Sequence, residues 1–201
     1  MTQNAFANPD FRRCADFHGH VCPGLAIGYM ATKAGLAQIG QNRSEDEELV
    51  AVVETDACGV DAVQVLAGCT FGKGNLIHKD HGKSVFTFFG RKSGKGIRVA
   101  VKPNAIKPNK KHMALMAKMR AETATETEKA EFKRLHQARC REVLESAPEA
   151  LFDIRPATVS LPAKARVMAS ELCDACGEPT MGSKIVEKYE KKLCRECAAS
   201  Q

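Results

Sequence analysis

The most restrictive feature of this chain lies at its end. Cys173-Asp174-Ala175-Cys176 and Cys194-Arg195-Glu196-Cys197 are two C-x2-C pairs separated by seventeen residues. Four thiols at this spacing match tetrahedral zinc sites, and four thiolates close the coordination shell, so the expected zinc is structural. Gly177 follows the first pair, where a tight knuckle can turn backbone N–H groups toward sulfur. A module of about thirty residues has too little core of its own and would take its fold from the metal. An iron centre or two disulfides are the competing uses of the same cysteines. Residues 169–201 are therefore read as a treble-clef or ribbon-like module with Cys173, Cys176, Cys194 and Cys197 as zinc ligands. No recognition helix is visible, so docking or dimer stabilisation fits this module at least as well as nucleic-acid binding.

The remaining length, in a chain of 201 residues with 44% apolar content, suffices for one good core. Nine cysteines are many, yet the chain opens Met-Thr-Gln-Asn-Ala-Phe without the basic and apolar regions of a secretory signal. No apolar run is long enough to span a bilayer. A cytoplasmic location is expected, and in that reducing compartment clustered cysteines mean metal or redox chemistry more often than disulfides. The net charge of +6 supports only weak attraction to anions. With no Trp and two Tyr, the chain lacks the aromatic platforms of a nucleic-acid binder.

A second cluster lies near the start, in Asp16-Phe17-His18-Gly19-His20-Val21-Cys22-Pro23-Gly24. In an extended segment, side chains two apart share a face, so His18, His20 and Cys22 would converge on one spot. Pro23 suits the first position of a helix predicted over 23–39 and makes Cys22 its N-cap, where the helix dipole lowers a thiol's pKa. Gly24, Gly28, Ala31 and Gly35 form a small-residue stripe on that helix, as the close approach of another backbone requires. A β-branched strand over 49–54 then leads into Thr55-Asp56-Ala57-Cys58-Gly59-Val60-Asp61, followed by a helix over 60–67 that stops at Gly68. Cys58 is thereby expected near a second helix start, paired through space with Cys22. The loop Gly68-Cys69-Thr70-Phe71-Gly72-Lys73-Gly74-Asn75 has one residue too few for a Walker A motif, which excludes nucleotide hydrolysis of that type. Its Cys69 and Lys73 are expected beside whatever Cys58 binds.

Further on, His78 and His81 are read as a surface pair that could reach a metal from a turn. Strands over 84–91 and 97–102 form a hairpin around Ser93-Gly94. Residues 111–146 are helical and broken near 123–127, and His112, His136, Cys140 and the methionines on this arm are read as packing. Prolines 148, 156 and 162 mark residues 148–168 as a linker with short strands over 152–161 and 165–168, so the core with its helical arm is placed at 1–147.

His18-Gly19-His20-Val21-Cys22-Pro23-Gly24, Thr55-Asp56-Ala57-Cys58-Gly59-Val60-Asp61-Ala62 and Gly68-Cys69-Thr70-Phe71-Gly72-Lys73-Gly74-Asn75-Leu76, in that order, resemble the FmdE family, named for a component of formylmethanofuran dehydrogenase. The resemblance runs from Phe11 to Lys102 and takes in Asp80-His81-Gly82-Lys83 and Phe86-Thr87-Phe88; the cysteine pairs at the end look like the zinc-binding extension of longer members. It implies an α+β core, a β-sheet flanked by helices, in a homodimer with a metal-associated cleft. It does not imply oxidation of formylmethanofuran, because the molybdenum or tungsten pterin chemistry belongs to a different component of that enzyme.

Three functions fit these residues. In the first, His20, Cys22 and Cys58 hold a soft or borderline divalent metal, His18 or Cys69 completes or flanks the shell, and Asp61 and Lys73 orient a ligand or substrate. The protein would then be a redox-associated or accessory component of anaerobic one-carbon or related metabolism, with a protein partner in a redox complex. In the second, Cys22 is a metal-free nucleophile resolved by Cys58 or Cys69. In the third, a zinc-stabilised regulatory protein binds a partner without catalysis.

Overall fold

Helix boundaries follow the local capping chemistry closely. In the computed structural model, which describes residues 5–164 and 168–200, Asn8 accepts N–H bonds from Asp10 and Phe11 and opens α1, Pro9–His18. Gly19, with φ at 86°, ends it in the left-handed conformation that glycine adopts freely. Cys22 caps α2, Pro23–Ile39, which stops at the left-handed Gly40. Helix α3, Gly59–Ala67, stops likewise at Gly68. The break in the helical arm falls where a Thr-x-x-Glu capping box can form. Helix α4 spans Lys110–Arg120, and Thr125 and Glu128 cap each other's backbone at the start of α5, Glu126–Glu145. A short α6, Pro148–Leu151, follows.

The chain divides into two units, Met1–Lys164 and Ala165–Gln201. The first is a mixed α+β unit built on a five-stranded sheet in the order β2-β1-β3-β4-β5. Its strands are β1, Leu49–Val53; β2, Leu76–His78; β3, Val85–Gly90; β4, Gly96–Val101; and β5, Phe152–Pro156. Strands β1 and β2 run parallel and the other neighbours are antiparallel. Side chains alternate across the pleat. Leu49, Ala51, Val53, Phe86, Phe88 and Val99 face the helical core, while Val50, Val52 and Phe89 form a smaller cluster on the other side.

Two expectations change here. The short strand expected from residue 152 is present as Phe152–Pro156, but it is the fifth strand of the sheet, registered Val99↔Ile154 on β4. Leu76–His78 is a parallel edge strand, which its three residues do not announce by periodicity. The strand expected over 165–168 falls largely on residues outside the described ones. The small-residue stripe of α2 does meet a backbone: a Cβ on Gly28 would lie 2.2 Å from the carbonyl oxygen of Gly59. Helices α2 and α3 therefore touch at a glycine–glycine crossing between the second turn of α2 and the first residue of α3.

In the second unit, β6, Ser170–Leu172, pairs with β7, Pro179–Met181, around the first cysteine knuckle. A second hairpin of β8, Val186–Lys188, and β9, Lys191–Leu193, leads into α7, Arg195–Ala199, whose N-cap is Cys194. Knuckle, hairpin and helix start succeed each other in the treble-clef order. Among the described residues, no helix is long and apolar enough to cross a membrane.

Candidate metal centres

In the tail, ligand atoms of Cys173, Cys176, Cys194 and Cys197 all lie within 4.8 Å of one another. Cys194 N–H donates to Cys173 Sγ at 3.2 Å, and Cys197 N–H to Cys194 Sγ at 3.4 Å. Backbone N–H groups, those of Cys176 and Cys194 foremost, bring the Cys173 thiol down to about 6. The Cys197 thiol is pushed up to about 12 by its hydrogen bonds to Cys194 and Cys176. One ready thiolate beside two thiols, Cys176 and Cys197, that resist ionisation is the electrostatics of a site whose charge a cation neutralises. The donor set fits a closed four-sulfur metal site.

The second group consists of His18, His20 and Cys22, whose ligand atoms also lie within 4.8 Å of one another. They do not share the face of a strand. His18 is the last residue of α1, Gly19 turns the chain, and Cys22 caps α2, so a helix–turn–helix corner gathers them. The His18 and His20 rings are 4.4 Å apart, and His18 Nε2 lies 3.8 Å from Cys22 Sγ. Two ligands on one tetrahedral ion would be about 3.5 Å apart at ordinary Zn–N and Zn–S bond lengths, so that spacing suits a shared cation.

Asp61, on the first turn of α3, accepts a 2.6 Å hydrogen bond from His18 Nδ1. The carboxylate fixes the tautomer and leaves Nε2 as the lone-pair donor beside Cys22. Gln64, one turn further along α3, donates to the other Asp61 oxygen at 3.2 Å. The sequence reading missed Gln64; its i,i+3 spacing from Asp61 on a predicted helix was the available signal.

Cys58 lies beside this group but outside its 4.8 Å circle. A Cβ on Gly24 would sit 3.6 Å from Cys58 Sγ and 3.8 Å from Cys22 Sγ, so both sulfurs border the same spot beside Gly24. Cys58 makes no side-chain cap bond, whereas Cys22 Sγ accepts one from Leu25 N–H at 3.3 Å. The expected lowering of the Cys22 thiol is not found. It is 6% exposed, and burial pushes it up to about 11 against the smaller opposing pull of the Leu25 amide. Desolvation outweighs the helix terminus because a thiolate loses more hydration than one amide restores.

Cys69 and Lys73 are placed elsewhere. Both follow the far end of α3, and nine helical residues at 1.5 Å each put that end about 13 Å from the Cys58 end. Cys69 is fully buried and its thiol is raised to about 12 by that burial. Lys73 Nζ donates to the carbonyl oxygens of Ser44 and Glu45 and ties down the loop before β1. His81 bonds Glu54 at 3.2 Å, and His78 closes the β1–β2 pairing opposite Val53. Neither belongs to a ligand cluster among the described residues.

Residues 17–153 match the profile of the family described as FmdE, molybdenum formylmethanofuran dehydrogenase operon. A curated protein of Archaeoglobus fulgidus, named a probable S-adenosyl-L-methionine-binding protein, is 31% identical over 195 residues, covering 94% of this chain and 52% of that one. The chain thus spans about half the length of the curated relative it matches. A crystal structure of a tungsten formylmethanofuran dehydrogenase FmdE-like protein from Syntrophus aciditrophicus superposes with a TM-score of 0.63, at 22% identity, over all of this chain and 98% of that one. That likeness establishes a shared fold. With its matched profile covering most of the sheet and both helix starts that carry the first cysteines, the chain belongs to the FmdE family.

Proposed function

We propose that this protein holds a borderline divalent cation at the His18–His20–Cys22 corner, with one position free for a ligand, and a structural zinc in its tail. The observation that carries this reading is the convergence of two imidazoles and a thiol on one spot, with His18 already turned by Asp61. Nitrogen and sulfur donors favour zinc, iron(II), cobalt(II) or nickel(II) over magnesium or calcium. Three protein donors leave tetrahedral coordination incomplete, as in sites that act on a bound molecule. Bound, the cation would supply Lewis acidity; the chain's residues hold it, and Asp61 keeps the His18 proton on Nδ1. Cys58 flanks the site outside this donor set. An accessory role beside redox or one-carbon chemistry is the setting that the family description supports.

The thiol route without metal is disfavoured by the burial of Cys22, which keeps the thiol protonated at neutral pH. The name of the Archaeoglobus relative directs attention to S-adenosyl-L-methionine, whose carboxylate can take a single open position on a cation. The test is metal analysis of the purified protein and two variants. Wild type should carry cation at both sites, Cys22→Ala should lose only the first, and Cys173→Ser only the tail zinc. A Cys22→Ala protein with unchanged metal content would sink the reading. Titration of loaded wild type with S-adenosyl-L-methionine then asks whether that ligand occupies the open position.

A further inference from the structure

The helical arm carries a pair of histidines that the cation reading leaves unused. His112 Nε2 and His136 Nδ1 lie 3.0 Å apart, and Phe132 stacks on both rings. His112 is 4% exposed, a buried polar side chain whose partner in this network is His136. Phe132, His136 and Cys140 succeed one another at i,i+4 spacing, so they form one stripe along α5. That stripe is pinned to the corner of the site: the Cys140 thiol donates to the backbone carbonyl of Cys22 at 3.6 Å. His136 is one helical turn before that contact.

The geometry points to His136 as the residue that faces the open position of the cation site and hydrogen-bonds the molecule bound there. This rests on the cation reading above. The field of His20 reaches the His136 ring, together with burial and His112, so α5 is close to the ligand corner. His112 occupies Nδ1 of His136 and Phe132 stacks on its ring, leaving Nε2 without a protein hydrogen bond among the described residues. The molecule recognised is a small ligand with an oxygen or nitrogen atom that can coordinate and hydrogen-bond at once: water, a carboxylate, or the amino-carboxylate head of a larger molecule.

The experiment uses full-length protein loaded with cobalt(II) and titrated with azide, whose terminal nitrogens coordinate and accept hydrogen bonds, with binding followed by the cobalt d–d spectrum. Wild type should bind azide. His136→Ala should keep its cobalt and bind azide about tenfold more weakly, the loss expected for a hydrogen bond to a charged ligand. His136→Gln should recover part of that loss, and His112→Phe should weaken azide by less than His136→Ala. Unchanged azide affinity in a cobalt-loaded His136→Ala protein overturns the inference. So does loss of cobalt in that variant, which would make His136 a ligand, and so does a wild-type spectrum indifferent to azide, which would mean no open position. Retention of corner cobalt by Cys22→Ala is a separate result and defeats the cation reading itself.

Discussion

Gly28→Ala tests the claim that the site depends on how closely two helices approach. The added Cβ would lie 2.2 Å from the Gly59 carbonyl oxygen and 2.3 Å from its Cα, where ordinary contacts begin at 3.4 Å. Both obstructing groups are backbone, so no side chain can turn away, and α2 and α3 must separate by roughly 1 Å. Overpacking of this kind costs up to about 3 kcal/mol, while exchanging a helical glycine for alanine returns about 1 kcal/mol, which leaves a net destabilisation of about 2 kcal/mol. At about 2–4 °C per kcal/mol for a unit of this size, Tm should fall by about 4–8 °C. The same displacement moves Asp61 relative to His18, whose bond is only 2.6 Å long, so cobalt affinity at the corner should drop by about 10–100-fold, as for loss of an orienting partner. Thermal unfolding by circular dichroism and competitive cobalt titration measure the two effects. Gly35→Ala is the control: its Cβ would meet the buried Phe88 ring at a point remote from the ligands, so it should lower Tm without lowering cobalt affinity. A Gly28→Ala protein that melts with wild type and binds cobalt equally well would refute the crossing argument.

Asp61→Asn should weaken corner cation binding by about 10–100-fold in a chelator competition, while Lys73→Ala, which only frees the carbonyls of the loop before β1, should leave that affinity unchanged. Chelator treatment should make residues 168–200 susceptible to proteolysis while residues 5–164 stay resistant, because the tail relies on its cysteine site for a core; fragment masses from limited digestion report this. Glu48 is held at about 2, below its ordinary 4.5, chiefly by the Ser44 hydroxyl. Because the folded value is the lower one, its contribution is fully present above pH 4.5 and disappears as pH falls toward 2. The stability gap between wild type and Glu48→Gln, from denaturant melts at several pH values, should therefore close over that window; a gap that widens on acidification would contradict the sign.

Much of the local structure was legible in the residues. Asn8 with Pro9, Cys22 with Pro23, Gly40, Gly68 and the Thr125–Glu128 box set helix ends through bonds spanning a few residues, so the sequence contains all the partners. The tail cysteines were legible for the same reason: a metal's coordination geometry turns spacing into structure. The exclusion of Cys69 was also within reach, because a helix between Cys58 and Cys69 separates them by its own length. Missing from the sequence was any sign of how solvent would be removed from Cys22. Its position at a helix start foretold a lowered pKa, and the packing around it produced the opposite.

The sequence alone determined which side chains could carry chemistry and where the capped ends of α1 and α2 and the stop of α3 would fall. Tertiary structure alone decided which of them meet. His18 and Asp61 are 43 residues apart, Cys22 and Cys140 are 118 apart, and β5 joins the sheet across the whole helical arm. Such contacts arise from the burial of apolar faces, which is non-directional and has no local signature, so local chemistry could place helix starts such as those at Asn8 and Cys22 without revealing which starts face one another.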